Sequence, residues 1–140
     1  MYLLDTSVVS NFLDERRYYP QLTARILNQP PEQIFISIIT VEEILQGALA
    51  SIQKSKRKPS VTKAYQYFED LFSALHRFQI VSYTLEAEAI YQSLPAKTKR
   101  IGTQDCRIAA IAQANDFTVI TVNVNDFVSI DLADVEDWTR

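Results

Sequence analysis

The sequence predicts an α/β protein with a mainly parallel sheet, because short apolar stretches alternate along the chain with longer amphipathic segments. Three of the short stretches end at or just before a polar side chain, namely Asp5, Ser37 and Asn123. The chain has only two glycines, whereas a sheet of tight hairpins would need more. Functional residues of parallel sheets gather at the carboxyl ends of the strands. We therefore expect these three positions to lie near one another.

The first half of the chain supplies two predicted strands and four predicted helices. Prolines and polar capping residues mark the helix boundaries. In order, the elements are a strand over Tyr2–Leu4, a helix capped by Thr6 or Ser7, a helix after Pro20 that Pro30 and Pro31 stop, a strand over Ile34–Ile36, a helix opened by Thr40, a basic loop or frayed helix end over 53–60, and a long helix from about Tyr65 to Leu75.

The second half continues the alternation. A helix with an unusually apolar composition precedes the last clear strand, and polar residues crowd directly after that strand. In order, we expect a short strand at Ile80–Val81, a helix from Thr84 to about Leu94 closed by Pro95, a helix over 103–114, a strand over Phe117–Thr121, a polar corner, and a last apolar segment over Val128–Leu132.

Length and composition indicate one ordinary globular domain over residues 1–140, with 47% hydrophobic and 22% charged residues. The single cysteine, Cys106, excludes an internal disulfide and fits a reducing cytoplasm. No apolar run is long enough to span a bilayer, and no basic segment precedes an apolar one at the start, so we expect neither a membrane anchor nor a signal peptide. We predict a cytoplasmic protein.

The net charge of −3 argues against a protein that coats nucleic acid. It does not argue against a nuclease, which concentrates acid at its centre and needs only a local basic rim. Each basic group, taken alone, also fits a solvated surface. The two groups are Lys54, Lys56, Arg57, Lys58 and Lys63, and Lys97, Lys99, Arg100 and Arg107.

Asp5 follows the first predicted strand, where a ligand-binding carboxylate would lie. A turn or capping acid is the simpler interpretation of Asp5 alone. Thr6 and Ser7 could cap the helix equally well, and that would leave the carboxylate of Asp5 free for another role.

Glu42 and Glu43 point about 100° apart on a helix, so at most one of them faces a central site. Gly47 lies one turn after Glu43 on the same helix face. A glycine inside a helix costs about 1 kcal/mol relative to alanine, and clearance beside Glu43 for a substrate backbone would justify it. A solvated glutamate pair explains the sequence equally well.

Asp105 lies in the first turn of its helix, where a negative charge also favours the helix dipole. Arg107, two residues later, could contact a phosphate or pair with a surface acid. After the strand that ends at Thr121, either an Asx-type turn or a metal site could explain the polar residues. In the second case Asn123 or Asp126 completes the site and Thr121 orients a carboxylate.

The combination is more specific than any one residue. Carboxylates that converge repel one another unless a cation or protons join them, and oxygen ligands without His or Cys select Mg²⁺ or Mn²⁺ over Zn²⁺. The chain has no CxxC pair, no P-loop and no glycine-rich phosphate cradle. Its one histidine, His76, stands among apolar residues and is expected to be structural.

Four segments in order resemble the motifs of PIN domains. In the second, a threonine precedes the acid by three residues and a glycine follows it by four, which selects Glu43 over Glu42. The four segments are Tyr2-Leu3-Leu4-Asp5-Thr6-Ser7-Val8-Val9, the stretch from Ile36 to Gly47, the stretch from Gly102 to Ala112, and the stretch from Val119 to Phe127.

The resemblance implies a three-layer α/β/α fold and a Mg²⁺-dependent endoribonuclease, similar to the VapC toxins of type II toxin–antitoxin systems. It implies a homodimer, an RNA substrate such as tRNA, and a small VapB-like antitoxin as partner. In the site that it implies, Asp5, Glu43 and Asp105 bind the metal, Asn123 or Asp126 is the fourth site residue, and Thr6, Arg107 and Thr121 contact the substrate. Some family members carry an acid where Asn123 stands here.

Two other functions are compatible with parts of the pattern. Asp5 could be the nucleophile of a phosphatase, but haloacid-dehalogenase-type enzymes place a second Asp two residues later, where this chain has Ser7. A catalytically degenerate PIN-fold binding module, acting through a partner protein, would not need the three carboxylates. For the nuclease, metal-assisted attack of water would leave a 5′-phosphate and a 3′-hydroxyl.

Overall fold

The computed structural model describes residues 1–140 and contains five strands and eight α-helices, with one turn of 3₁₀ helix over Pro31–Gln33 before the second strand. The strands are β1 (Tyr2–Leu4), β2 (Ile34–Ser37), β3 (Gln79–Val81), β4 (Thr118–Ile120) and β5 (Val135–Glu136). The helices are α1 (Thr6–Leu13), α2 (Pro20–Asn28), α3 (Ile38–Ser55), α4 (Val61–Leu75), α5 (Leu85–Gln92), α6 (Ala96–Lys99), α7 (Thr103–Asn115) and α8 (Val124–Ile130).

All strand pairs are parallel, in the order β3-β2-β1-β4-β5, which confirms the predicted fold class. β1 is central, with Leu3 paired to Phe35 of β2 on one side and to Val119 of β4 on the other. The chain adds strands on one side of β1 first and on the other side later. The carboxyl ends of β1 and β4 therefore flank a topological switch point, where open α/β sheets bind their ligands.

Helices cover both faces of the sheet, so the architecture has three layers. Successive side chains of a strand point to opposite faces, and Leu3 and Val119 accordingly pack with α7 in one core. Leu4 and Ile120 pack with α1 and α2 in the other core. Burial on both faces explains why the strands are continuous apolar runs in the sequence.

Two helix starts differ from prediction, each by a capping residue at a strand end. Asp5, rather than Thr6 or Ser7, caps α1, and its side chain accepts a hydrogen bond from the Val8 N–H. Ser37 caps α3 and bonds the Thr40 N–H, so that helix begins ahead of Thr40. Both helices thus follow their strands with no intervening loop.

The end of the chain is the part that the sequence predicted least well. The polar corner after β4 is the start of α8, and the apolar segment Val128–Leu132 falls largely within that helix. The two-residue strand β5 and the four-residue helix α6 were not predicted. Such short elements form because neighbouring parts of the fold offer partners, as β4 does through its pairing of Val119 with Val135.

The basic segment between α3 and α4 is shorter than predicted, because α3 continues to Ser55 and α4 already begins at Val61. His76 lies at the end of α4, where it is exposed and packs edge-on against the Phe72 ring. No helix of the structure combines the length and apolarity needed to cross a membrane.

Candidate active site

Asp5 lies at the centre of the sheet's carboxyl edge and is 1% exposed. Its Oδ1 accepts hydrogen bonds from the Ser7 hydroxyl (2.7 Å) and the Val8 N–H (3.0 Å). Its Oδ2 accepts a hydrogen bond from the Thr121 hydroxyl at 2.5 Å. Burial raises the pKa of Asp5, while these hydrogen bonds act in the opposite direction. Asp5 is therefore both the cap of α1 and the fixed carboxylate of the site.

Thr121 connects the end of β4 to this carboxylate. Its hydroxyl donates to Asp5 and accepts from the Asn123 N–H at 2.8 Å, so one buried side chain sets both the orientation of Asp5 and the backbone path into α8. The structure thus brings Thr121 and Asp5 together, as the sequence interpretation supposed.

A chain of hydroxyl groups ends on Glu43. Thr6 donates to Glu43 Oε1 at 2.6 Å, and the Thr6 and Thr40 oxygens are 3.0 Å apart. A hydroxyl has one proton to donate, so Thr40 is the donor to Thr6. Ser37 in turn donates to Thr40 at 3.4 Å. Each hydroxyl in this chain therefore donates its hydrogen bond in the direction of Glu43. These bonds fix the Glu43 carboxylate beside the start of α1.

Glu42, the neighbour of Glu43, has a different environment. It is exposed and accepts a hydrogen bond from the Gln104 amide at 2.8 Å. Gln104 precedes Asp105 in the first turn of α7. The Glu42–Gln104 bond therefore ties the two helix starts that carry Glu43 and Asp105.

Asp105 is partly buried, and its carboxylate accepts no hydrogen bond from the protein. Its pKa is raised from 3.8 to about 6, chiefly by burial and then by the negative charges of Asp5, Glu43 and Asp126. The four acids thus lie within electrostatic range of one another. Asp105 is the member of this group that neighbouring donors do not hold.

Asn123 and Asp126 lie on the rim of the site and are both exposed. Asn123 occupies the position before α8, although its side chain makes no capping bond, and Asp126 lies in the first turn. Both line a cavity of about 560 Å³ that extends to Asp137 and Arg140. Of the two candidates for a fourth site residue, Asp126 is the one whose charge acts on Asp105.

Arg107 lies apart from the carboxylates. Its guanidinium carbon is 5.1 Å from the centre of the Tyr91 ring and 5.9 Å from that of Tyr83, and it also donates weakly to Gln104 at 3.4 Å. Residues two apart on a helix point about 200° from each other. The geometry therefore gives Arg107 a place in the packing of α7 against α5 and does not bring it to Asp105.

The donor chemistry of the site fits a hard divalent cation. Asp5, Glu43 and Asp105 offer only oxygen atoms, which Mg²⁺ and Mn²⁺ prefer, and mutual repulsion of their charges favours a cation among them. The distances between these side chains are larger than a bound metal would require. No three His, Cys, Asp or Glu side chains lie close enough together to form a preformed metal site.

Three contributors to the site received no site role from the sequence. Ser7 donates to Asp5, Thr40 donates to Thr6, which in turn donates to Glu43, and Gln104 joins α7 to α3. Thr40 had a signal in the sequence, since it stands one helical turn before Glu43 and shares its helix face. The contacts of Ser7 and Gln104 depend on side-chain geometry that spacing does not reveal.

Fold and site together define a parallel α/β protein with a carboxylate-centred site at the switch point of its sheet. The model of the PIN domain family matches residues 2–132, so the chain belongs to the PIN domain family.

Relatives match over nearly their whole length. The chain is 32% identical to the plasmid stability protein StbB of Pseudomonas syringae pv. tomato and 30% identical to the toxin FitB of Neisseria gonorrhoeae, with 99% of each chain covered in both cases. It is 27% identical to the ribonuclease VapC2 of Rickettsia felis, over 100% of this chain and 99% of the relative.

Solved structures agree with the fold. FitAcB from Neisseria gonorrhoeae is 26% identical and superimposes with a TM-score of 0.78, covering 99% of both chains. A chain of a toxin–antitoxin complex from Klebsiella pneumoniae is 25% identical, with a TM-score of 0.68 over 97% of this chain and 96% of that one.

Replacing Thr121 by valine tests the bond that holds Asp5. The variant keeps the side-chain shape and removes the donor to a buried carboxylate oxygen, so we expect a loss of about 1–3 kcal/mol in the free energy of unfolding. Urea denaturation measures it. Thr118→Val, on the same strand but without a side-chain hydrogen bond, is the control. Equal losses in the two variants would refute the role of the Thr121 hydroxyl.

The pKa of Asp105 predicts how stability depends on pH. Between its ordinary pKa of 3.8 and its folded value of about 6, the folded protein binds more protons than the unfolded chain. Stability in metal-free buffer should therefore fall as pH rises from about 4 to about 6. Asp105→Asn should flatten this decline and be more stable than the original protein at pH 7. Urea denaturation at a series of pH values would show an unchanged slope if the assignment is wrong.

Proposed function

We propose that this protein is a metal-dependent endoribonuclease and the toxin of a toxin–antitoxin pair. The observation that carries the proposal is the placement of Asp105 with Asp5, Glu43 and Asp126 at the switch point of the sheet, close enough for their charges to act on one another. Membership of the PIN domain family supports it, as do relatives named ribonuclease VapC2 and toxin FitB.

Asp5, Glu43 and Asp105 are the residues that would hold the metal, with Mg²⁺ as the proposed ion and Mn²⁺ as a substitute. When bound, such a cation lowers the pKa of water and stabilises the charge that develops on a phosphate during hydrolysis. Asp126 and Asn123 would act at the rim of the site. The products would carry a 5′-phosphate and a 3′-hydroxyl.

The carboxylates of the proposed site differ in how firmly the protein holds them. Thr121 and Ser7 hold the carboxylate of Asp5, and Thr6 holds that of Glu43, so these two acids need little reorganisation when a ligand arrives. Asp105 remains the adjustable one, because no protein donor fixes its carboxylate. A proton on Asp105 offsets the repulsion below about pH 6. Above that pH the carboxylate of Asp105 is charged and would be available to hold a cation.

The partners and setting of the protein extend the proposal. A chain similar to this one lies in a toxin–antitoxin complex, and this supports a small VapB-like antitoxin as the partner here. We further propose that residues 1–140 act as one domain, that the toxin is a homodimer, and that it works on RNA in the cytoplasm.

Cleavage of total cellular RNA tests the activity directly. Purified protein with Mg²⁺ should give discrete products that EDTA and Asp105→Asn both abolish, because the variant removes a metal-binding charge. Asp116→Asn is a matched control: it makes the same change at the other end of α7, in a left-handed conformation that Asn tolerates. No cleavage by the folded, partner-free protein would favour the degenerate binding module.

Asp105 is a better position for this test than Asp5. Asp5 caps α1 and is the buried acceptor of three hydrogen bonds, so Asp5→Ala would leave the donors of Ser7, Val8 and Thr121 without their partner. An inactive Asp5→Ala protein could simply be unfolded. The carboxylate of Asp105 accepts no hydrogen bond from the protein, so replacing it leaves no donor without a partner.

Thermal unfolding with and without metal tests the cation independently of cleavage. A ligand that binds only the folded state stabilises it by about 2.7 kcal/mol at a hundred times its dissociation constant. Mg²⁺ or Mn²⁺ should therefore raise the melting temperature at pH 7.5 in the original protein and in Asp116→Asn. The rise should be much smaller in Asp105→Asn. An equal rise in all three would place the cation elsewhere.

A further inference from the structure

A groove leads away from the candidate site along α3. It has a volume of about 290 Å³ and lies between α1, α3 and α4. We call it the α3 groove and define it by the lining residues Thr6, Ser10, Glu43, Gly47, Ser51 and Tyr67. Because Thr6 and Glu43 also belong to the carboxylate site, whatever occupies this groove reaches that site.

Gly47 keeps the floor of the α3 groove open. A Cβ built on Gly47 meets no atom within 4 Å, so no neighbouring element requires a glycine at this position. The helix nevertheless tolerates a residue that costs about 1 kcal/mol relative to alanine. The space that the missing side chain leaves therefore belongs to the groove, not to helix packing.

The far end of the groove is aromatic, and two lysines lie beyond its lining on the same helix faces. Tyr67 is 52% exposed beside Ser51. Lys63 lies one turn before Tyr67 on the same face of α4, and Lys54 lies two turns after Gly47 on the same face of α3. Neither lysine forms a salt bridge with an acid. At about 1.5 Å per residue, Lys54 is roughly 16 Å along the helix from Glu43.

From this arrangement we infer that the α3 groove binds single-stranded RNA and directs it to the carboxylates. The inference rests on the proposed nuclease function and adds the path of the strand. Tyr67 stacks on a base, Lys54 and Lys63 neutralise phosphates, and the open surface at Gly47 admits the sugar–phosphate backbone. Aromatic stacking along a basic groove is how proteins hold single strands without reading sequence.

RNA fits the groove better than an apolar peptide helix does. The lining carries the carboxylate of Glu43 and hydroxyl groups from Thr6, Ser10 and Ser51, beside the aliphatic side chains of Ile44 and Ala48. The charge changes from acidic at the Glu43 end to basic at the lysine end, which suits a phosphate chain whose cleaved bond lies among carboxylates and a cation. A peptide segment of a partner protein is the alternative that the experiment must separate.

Binding of a labelled RNA tests the groove. The probe is a fluorescein-labelled pool of random single-stranded RNA about ten nucleotides long, within the usual range for such sites, and anisotropy is read in EDTA so that no cleavage occurs. Gly47→Leu fills the groove and should weaken binding about fivefold or more, as should Tyr67→Ala, since a stacked base contributes about that factor or more.

Three controls separate binding from folding. Gln46→Leu adds a leucine about 100° away on the same helix and should leave binding unchanged. Tyr67→Phe keeps the ring and should retain binding. Gly47→Ala should raise the melting temperature, so the glycine substitutions should not weaken binding through loss of stability.

Lys54→Gln with Lys63→Gln should reduce the slope of log Kd against log salt by about 1.4.

The inference is overturned if Gly47→Leu binds the probe as tightly as the original protein, or if the original protein does not bind it. It is also overturned if Gly47→Leu keeps RNA binding and loses only inhibition by an antitoxin peptide, because the groove would then hold protein. An RNA-cleavage assay distinguishes failure of the groove assignment from failure of the proposed nuclease function. If the original protein and Gly47→Leu cut RNA equally well, the groove assignment alone fails; if neither cuts, the nuclease fails.

Discussion

The rest of the site depends on the burial of one carboxylate, that of Asp5. Leaving a charge in the interior of a protein is costly unless donors surround it. Here Ser7 and Val8 donate from α1, and Thr121 donates from the end of β4. The bonds can form only when β1 and β4 are paired and α1 starts directly after β1. The same requirement places Asp5 at the switch point of the sheet, so the arrangement that makes the charge tolerable also puts it at the edge where open α/β sheets bind their ligands.

From this fixed point the site acquires two kinds of acid. Asp5 and Glu43 have donors that set their orientation, and the donors of Glu43 form a relay that begins at Ser37, the end of the neighbouring strand β2. Asp105 comes from another helix and has no such donors, and its pKa rises to about 6 as its neighbours repel its charge. Two carboxylates held by donors and one without protein donors are compatible with the proposed cation site.

The sequence was informative where structure follows from local pattern. Buried parallel strands are continuous apolar runs, so β1, β2 and β4 were predicted close to their actual bounds, and the order of motifs indicated Asp5, Glu43 and Asp105 as one group. Prediction failed where one residue has two roles or an element is very short. Asp5 was treated as either a cap or a site residue, and in the structure it caps α1 from the carboxyl edge of the sheet. The seven residues of α8 are too few for a helical period to stand out. Arg107 was expected to contact a phosphate or to pair with a surface acid, and spacing did not reveal that its guanidinium packs against the Tyr83 and Tyr91 rings.

Two features of this edge oppose stability, and they support function for that reason. Like charges around Asp105 favour unfolding at neutral pH, and Gly47 weakens a helix in which alanine would fit, since nothing occupies the position of its Cβ. A chain shaped by stability alone would lose both features through single substitutions. Both lie close to Glu43, whose charge acts on Asp105 and which stands one helical turn before Gly47. Local conflict with folding at one place, in a chain that is otherwise consistent, is typical of a functional site.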